Sequence, residues 1–255
     1  MEAHLGSSID DFKVIFDLDI NNELTIDKWV VFALSKQVKR LELNFTPGSR
    51  IFRYIDCYTW PLECRLPFLG LHCKLSSLRS LCLKYVNIND EDIKDILLSC
   101  HDLENLCIIS GSLYLKRIEI PHASLQLKHL EVACLPKLLC IDILTPKLVS
   151  LTYQGHPITL NIRDAALLSD VSIGNGRREG EVVAYAYSSL AKYFPQLTSL
   201  SWDLLLNPEI GAGHIKVFNI YQFACCICFY KVYLFLQVTI IFLCSGIWGS
   251  RTHQL

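Results

Sequence analysis

The chain has 255 residues, 51% of them hydrophobic, which is enough to form the core of one large domain or two small ones. Its 24 basic and 25 acidic side chains leave a formal net charge of −1, so nucleic acid is not predicted as a partner. The cysteines before residue 150 form no C-x-x-C pair, and Cys225, Cys226 and Cys228 are too close together for an ordinary zinc site. Cysteine usage therefore favours reduced thiols over a disulfide framework.

Residues 1–24 are predicted to lead into the main domain and to contain a first strand at residues 12–16. Thr25 then stands before an apolar pattern of helical spacing, so we predict that it caps a helix over residues 26–37. Residues 38–45 alternate between apolar and polar side chains, which predicts that a strand follows this helix.

Residues 75–173 are organised by one short pattern: an apolar residue, two others, an apolar residue, one other and an apolar residue. The last three positions have a period of two, which is typical of a short strand, and one such strand cannot bury its own apolar side. Stacking of many copies would bury it, as in a leucine-rich-repeat solenoid. Counting one copy on each side of this stretch, the last apolar residues are Leu43, Leu83, Ile108, Ile120, Val132, Ile143, Tyr153, Ile162, Ile173 and Trp202.

The spacing of these copies predicts how the chain connects them. The gap of 25 residues between Leu83 and Ile108 leaves room for a helix, whereas the following gaps of 9 to 12 residues leave room only for strand and tight loop. Because ordinary leucine-rich repeats have roughly 20–29 residues, these repeats are unusually short, and we expect each strand to stack on the copy before it. A plain α/β domain rich in leucine is the alternative.

The long gap contains the clearest helix signal in the chain. Asn89 is predicted as the N-cap, and three acidic residues follow it in the first turn, where they favour the positive end of the helix dipole. Apolar residues at helical spacing begin at Ile93, and we expect this helix on the convex side of the sheet. Residues 182–194 are predicted as a further helix, after a polar loop at 174–180 that lacks a phosphate-binding fingerprint.

The composition changes near the C-terminal end of the chain. Beyond Glu209 there is no acidic residue, and the 21 residues at 228–248 contain a single charge, Lys231. Since a bilayer-spanning helix needs roughly 20 apolar residues, residues 207–255 are interpreted as an apolar helical tail with a candidate transmembrane helix at 228–248. A last buried element and a segment foreign to the fold are the alternatives.

Three segments resemble the leucine-rich-repeat region of plant F-box proteins. They are TIDKWVVFALSKQVKRLELNF at 25–45, LSSLRSLCLKYVNINDEDIKDILLSCHDLENLCI at 75–108 and LKRIEIPHASLQLKHLEVACLPKLLCIDILTPKLVSLTYQG at 115–155. The resemblance implies an α/β leucine-rich-repeat solenoid over residues 25–206, with a curved parallel sheet and few helices on its convex side. It also implies a substrate receptor of a cullin-type ubiquitin ligase, in which an F-box binds a Skp-type adaptor and the repeats bind the target. No F-box is visible ahead of the repeats, so adaptor binding is not expected of this sequence.

The side chain between the two inward residues of each strand points outward, and these side chains form the predicted protein-binding face on the concave side. Glu119, Glu131 and Asp142 come from successive copies, so we expect an acidic strip that would suit a basic partner segment. A solvated face that keeps the sheet soluble is the alternative. The whole predicted face consists of Glu119, Glu131, Asp142, Thr152, Asn161 and Ser172.

Catalysis is not predicted. The chain contains no H-E-x-x-H motif and no G-x-S-x-G motif, so no catalytic residue, metal site or cofactor is assigned. The preferred interpretation is a cytoplasmic or nuclear protein-interaction module that resembles the substrate-recognition repeats of an F-box receptor. The alternative is a repeat protein that is anchored in a membrane through residues 228–248 and displays its repeats in the cytosol.

Overall fold

The computed structural model describes residues 8–17, 23–48, 57–61, 75–120, 126–175, 193, 196–204 and 213–218. In chain order its elements are β1 (Asp11–Ile15), α1 (Glu23–Ser35), β2 (Arg40–Asn44), β3 (Tyr58–Thr59), a 3₁₀ turn (Leu75–Ser77), β4 (Ser80–Lys84), β5 (Val86–Asn87), α2 (Asp90–Ser99), β6 (Asn105–Ile109), β7 (Arg117–Ile120), β8 (His129–Ala133), β9 (Cys140–Leu144), β10 (Ser150–Gly155), β11 (Thr159–Asp164), β12 (Asp170–Asn175), β13 (Ser199–Leu204) and β14 (Gly213–Phe218).

The strands form a large sheet and a small sheet. The large sheet has nine strands in the order β1-β2-β4-β6-β8-β10-β12-β13-β14, and the small sheet has three in the order β11-β9-β7. The pairs within both sheets are parallel, apart from β13 with β14. A separate two-stranded pairing joins β3 to β5. Strands of the two sheets alternate along the chain from β6 to β12, so the chain coils back and forth between them.

Equivalent residues on successive strands of the large sheet lie side by side. Leu81 is paired with Leu106, and Leu106 with Leu130; each of the three is at most 1% exposed. Because side chains alternate along a strand, the neighbours of each leucine within its own strand point to the surface. Inward residues of the small sheet, such as Ile118 and Ile141, belong to the same buried cluster. The core therefore lies between the two sheets and follows the predicted period of two.

The expectation that each copy stacks on the one before it is wrong. Leu130 is paired with Leu151, and Leu151 with Val171, so one complete coil takes 21 and then 20 residues and contains two copies of the pattern. One copy enters the large sheet and the next enters the small sheet. The repeat length is thus that of ordinary leucine-rich repeats, roughly 20–29 residues, and the apparent short repeat is half a coil.

Helix α1 packs its apolar side on the first strands. Ile26, Val30 and Leu34 recur at helical spacing and are at most 2% exposed. The helix begins at Glu23, so the predicted N-cap, Thr25, lies inside its first turn instead. The helix ends at Ser35, and Gln37, two residues further on, has a positive φ of 54° and donates its N–H to the carbonyl of Leu34.

Helix α2 begins as predicted, with Asn89 as its N-cap. The Asn89 side chain accepts the N–H of Asp92, and the Asp92 carboxylate accepts the N–H of Asn89, which completes a capping box. Ile93, Ile96 and Leu97 are buried at helical spacing. The carboxylate of Asp90 contacts the start of β7, which places α2 beside the free edge of the small sheet.

Both ends of the described chain extend the large sheet. The first strand is β1, one residue earlier than predicted, and it pairs with β2. Residues 213–218 form a strand antiparallel to β13, so the prediction of a helical tail is wrong for this stretch. The helix predicted at 182–194 and the membrane span predicted at 228–248 lie outside the described residues, apart from Tyr193 in a 3₁₀ conformation. Among the described helices, none is long and apolar enough to cross a membrane.

Candidate protein-binding face

The outward side chains of the large sheet form a continuous surface, the large-sheet face. In-register pairing of parallel strands aligns its side chains in rows that run across the sheet. The middle row consists of Lys13, Glu42, Cys82, Cys107, Glu131, Thr152 and Ser172. Nine strands at a spacing of about 4.8 Å make the sheet about 38 Å wide, which is comparable with a small domain.

Ion pairs join the side chains of β1 and β2 at the N-terminal edge of the large-sheet face. Lys13 Nζ lies 3.0 Å from Glu42 Oε2 on the next strand. In the same way Arg40 pairs with Asp11, and the hydrogen bond from Arg40 holds the pKa of that carboxyl below its ordinary value. From β4 to β12, no ion pair joins two described side chains of this face. The charges at the N-terminal edge are therefore matched within the sheet, whereas the middle row from β4 to β12 consists of two thiols, the Glu131 carboxylate and two hydroxyl groups.

Two thiols and one carboxylate lie next to each other at the centre. Cys82 on β4 is paired with Cys107 on β6, and Cys107 with Glu131 on β8. The neighbouring Cys82 thiol, burial and the Glu131 carboxylate raise the pKa of the Cys107 thiol. The neighbouring Cys107 thiol lowers the pKa of the Cys82 thiol, and the positive charge of Lys84 acts in the same direction.

A hydrogen bond also links the next two strands of the face. His129 on β8 is paired with Ser150 on β10, and its Nδ1 lies 2.8 Å from Ser150 Oγ. The structure places this histidine at the surface, on the row beside the middle row. Its ring nitrogen can either donate or accept a hydrogen bond, depending on the tautomer of the ring.

The outward side chains of the small sheet form a second surface, the small-sheet face, which is a network of charges. Its centre is Asp142, whose Oδ1 accepts a hydrogen bond of 2.7 Å from Asn161 Nδ2. Arg117 and Arg163 each approach this carboxylate to 3.9 Å, and Arg117 also contacts Glu119 at 3.1 Å. Burial raises the pKa of Asp142, but the hydrogen bonds and the two arginines outweigh it, so its pKa is lowered.

The six residues of the predicted binding face divide between the two surfaces. Glu131, Thr152 and Ser172 lie in register on the large-sheet face. Glu119, Asp142 and Asn161 lie in register on the small-sheet face. The expected acidic strip of Glu119, Glu131 and Asp142 is therefore not formed, because successive copies enter different sheets. Asp142 also departs from the expected exposure, since its side chain is only 15% exposed.

The thiol pair is the feature that the sequence analysis missed. Cys82 and Cys107 each occupy the outward position between two buried residues, in the segments L-C-L and L-C-I. That shared position was visible in the sequence, but only the pairing of β4 with β6 shows that the two thiols are neighbours. In the part of the chain that the structure describes, no group of three acidic, histidine or cysteine side chains is arranged to hold a metal ion.

The comparison with known proteins agrees with this architecture. Residues 1–206 match the family model described as the leucine-rich-repeat domain of At1g61320/AtMIF1. The chain belongs to this family. The predicted α/β leucine-rich-repeat fold is thus confirmed for the repeat domain. No solved structure gives a significant match to the chain.

Relatives of this repeat domain in Arabidopsis thaliana carry names of F-box/LRR-repeat proteins. At5g02700 is 32% identical over 120 residues, which is 42% of this chain and 26% of that protein. At3g28410 is 31% identical over 123 residues, with the same two shares of 42% and 26%. At3g18150 is 26% identical over 184 residues, or 68% of this chain and 37% of that protein. The chain thus spans between a quarter and two fifths of the length of these relatives, and its similarity to the plant F-box/LRR repeat proteins is confirmed.

Proposed function

We propose that this repeat domain binds a protein target on the large-sheet face and presents it to a ubiquitin ligase. The observation that carries the proposal is the contrast between the two outward surfaces. On the small-sheet face the central carboxylate of Asp142 is engaged by Asn161 and by two arginines. A partner would have to break these contacts before it could gain any.

Among the described residues, the strands of the large-sheet face from β4 to β12 carry no ion pair of the kind that surrounds Asp142. Between its ion-paired edge and β12, the middle row presents the exposed Glu131 and the half-buried hydroxyl of Thr152 in adjacent positions. His129 and Ser150 lie beside them. Small hydroxyl groups and an imidazole adapt to hydrogen-bond partners of either kind, and a wide, even sheet suits an extended or helical segment. These groups support a protein-binding role for the large-sheet face.

The ligase role rests on the relatives. Proteins named F-box/LRR-repeat proteins combine such repeats with an F-box, and the resemblance of residues 25–206 to their repeat region supports target recognition as the task of this domain. Contact with a Skp-type adaptor is not proposed for the described residues. We propose that the complex acts in the cytoplasm or nucleus, where such ligases act. The competing proposal is that residues 228–248 anchor the chain in a membrane. It requires the full chain to need detergent in order to stay in solution.

Two matched variants test which surface binds. Thr152→Arg places a large charge in the middle row of the large-sheet face, and Asn161→Arg does the same on the small-sheet face. Both positions are surface positions of their strands, so circular dichroism should show retained folding. Proteins captured from plant cell extract by the wild-type chain and by Asn161→Arg, but lost with Thr152→Arg, would support the proposal. Loss with Asn161→Arg alone would contradict it.

The ligase role has a separate readout. For a captured target, we expect ubiquitin conjugates to decrease and the half-life to lengthen in cells that express Thr152→Arg in place of the wild-type chain. The Asn161→Arg variant serves as the control and should leave both quantities unchanged. If the target binds through the large-sheet face but its half-life does not change, the ligase role is wrong while the binding face stands.

A further inference from the structure

The Cys82 and Cys107 thiols occupy directly opposite positions on adjacent parallel strands. Their neighbours Leu81, Leu83 and Leu106 are buried and fix the two strands in register. Both cysteines are half-buried on the large-sheet face. Adjacent strands lie about 4.7–4.9 Å apart, which falls within the range of about 4.4–6.8 Å between Cα atoms that a disulfide requires.

The environment of the pair makes its two sulfur atoms different. Cys107 lies between Cys82 and Glu131 in the sheet register, and the neighbouring Cys82 thiol, burial and the Glu131 carboxylate raise the pKa of its thiol. The neighbouring Cys107 thiol and the positive charge of Lys84 lower the pKa of the Cys82 thiol. Since the thiolate is the nucleophile in exchange with disulfides, Cys82 is the attacking sulfur and Cys107 the resolving one.

The other described cysteines lack this arrangement. Cys100 is buried, its Sγ donates to the carbonyl of Leu75 at 3.1 Å, and burial raises its pKa to about 12. Cys140 donates to Asp142, and burial followed by this hydrogen bond raises its pKa to about 11. Cys134 is exposed, and no other described cysteine is paired with it in a sheet register. Within the described residues, Cys82 and Cys107 alone combine adjacency, access and an activated sulfur.

We propose that Cys82 and Cys107 are a redox-active pair that small disulfides, of which oxidised glutathione is the type, convert reversibly into an intramolecular disulfide across β4 and β6. The site therefore takes a low-molecular-weight disulfide as its substrate. This inference concerns the two thiols themselves and does not depend on the proposed protein target or on the ligase role.

The reaction balances in two exchange steps. The Cys82 thiolate attacks one sulfur of the small disulfide, which forms a mixed disulfide and releases one small thiolate. Cys107 then gives up its proton, to Glu131 or to water, and its sulfur attacks Sγ of Cys82, which releases the second small thiol. Overall two protein thiols are oxidised and one small disulfide is reduced to two thiols. An excess of reduced thiol reverses both steps.

The experiment exposes the purified full chain to oxidised glutathione under native conditions, blocks remaining thiols with iodoacetamide, and maps disulfides by mass spectrometry. Cleavage by trypsin together with glutamyl endopeptidase places Cys82 in peptide 80–84 and Cys107 in peptide 105–116, apart from Cys100. The expected product is a cross-link between these two peptides that disappears on reduction with dithiothreitol.

Single variants separate the two roles. With Cys107→Ser, the cross-link is lost and Cys82 retains a mixed disulfide with glutathione. With Cys82→Ser, the cross-link is lost and Cys107 reacts more slowly than Cys82 does in the first variant. The matched control Cys134→Ser, which removes an exposed thiol elsewhere, should leave the cross-link unchanged. Circular dichroism checks that each variant is folded.

Two results would overturn the proposal. In the first, Cys82 and Cys107 of the wild-type chain each carry glutathione, or both remain open to alkylation, and no cross-link forms. In the second, Cys82 is cross-linked to Cys134 or Cys57 as often as to Cys107, which would indicate random exchange in unfolded chains. A cross-link confined to Cys82 and Cys107 that dithiothreitol reverses would establish the pair.

Discussion

Asp90 caps the edge of the small sheet at Arg117. Asp90 Oδ1 accepts the backbone N–H of Arg117 at 3.0 Å and that of Lys116 at 2.6 Å. One strand further on, the carbonyl of Lys116 accepts the N–H groups of Leu139 and Cys140 in the same double manner. A side-chain oxygen of α2 thus takes the position that a main-chain carbonyl holds in the coils that follow. The backbone N–H groups at the start of the edge strand β7 therefore keep a hydrogen-bond acceptor.

The first prediction concerns this cap. Asp90→Ala leaves two backbone N–H groups at the edge of β7 without their acceptor, so we expect the free energy of unfolding to decrease by about 1–3 kcal/mol. Asp90→Asn keeps an oxygen acceptor and should lose less. Urea unfolding of the full chain measures both. Glu91→Ala is the control, because the Glu91 side chain is exposed and its one ion pair, with Lys94, is long at 3.7 Å. An equal decrease in unfolding free energy for Glu91→Ala would show that the acidic first turn matters and the cap does not.

A second prediction concerns Gly111, in the turn between β6 and β7. Its φ is +92°, and a Cβ at this position would lie 2.5 Å from the backbone carbonyl carbon of Tyr85. Gly111→Ala therefore combines backbone strain with a main-chain clash, and we expect a loss of about 2–5 kcal/mol in unfolding free energy. Gly48→Ala is the control, since a Cβ there meets only the Asp17 side chain, at 3.3 Å. Similar midpoints for the two variants in urea would refute the argument.

A third prediction concerns Ser112, which is completely buried. Its hydroxyl donates to the carbonyl of Ile88 and accepts the N–H groups of Tyr114 and Leu115 at 3.1 and 3.0 Å. Ser112→Ala leaves these three backbone groups without the hydroxyl, and we expect a loss of about 1–3 kcal/mol. Ser35→Ala removes an exposed hydroxyl that bonds one carbonyl and should change stability by less than about 0.5 kcal/mol. Thermal unfolding compares the two directly.

A fourth prediction concerns the pH dependence that Asp142 contributes. Its pKa is lower in the folded chain than its ordinary value of about 3.9. The stability from this shift is therefore fully present above about pH 4 and is lost as the pH falls through the folded pKa. Asp142→Asn should cost about 1–3 kcal/mol at neutral pH, and the difference from wild type should narrow below pH 4. Urea unfolding between pH 3 and pH 7 measures it, and a constant difference would contradict this account.

The strands could be predicted from sequence because their signal is local. Each copy carries its own period of two, and the last two apolar residues of every copy, from the one ending at Leu43 to the one ending at Trp202, lie within a strand of the structure. The N-cap of α2, Asn89, could also be predicted, because three acidic residues follow it in the first turn. The start of α1 could not be predicted, because its buried apolar side begins only at Ile26 while Leu24 is exposed, and helix ends are uncertain by one or two residues.

The partners of the strands could not be read in the same way. Copies in the large and the small sheet have the same apolar pattern. A spacing of 9 to 12 residues therefore fits a coil that contains one strand as well as it fits one half of a coil that contains two strands. Two successive gaps add up to the length of an ordinary repeat, and that sum was the available signal. The candidate face depended on this choice, which is why Glu131 was assigned to the same strip as Glu119 and Asp142.

A coil built from two strands restricts how this chain can change in length. Removing about ten residues, one strand with its loop, would send each later strand to the opposite sheet, so Thr152 would exchange surfaces with Asn161. Removing about 21 residues, a whole coil, would shorten both sheets by one strand and keep each remaining side chain on its own side. Insertions and deletions that preserve both outward surfaces should therefore come in whole coils, because a half-coil change would exchange the side chains of the large-sheet face with those of the small-sheet face from that point onward.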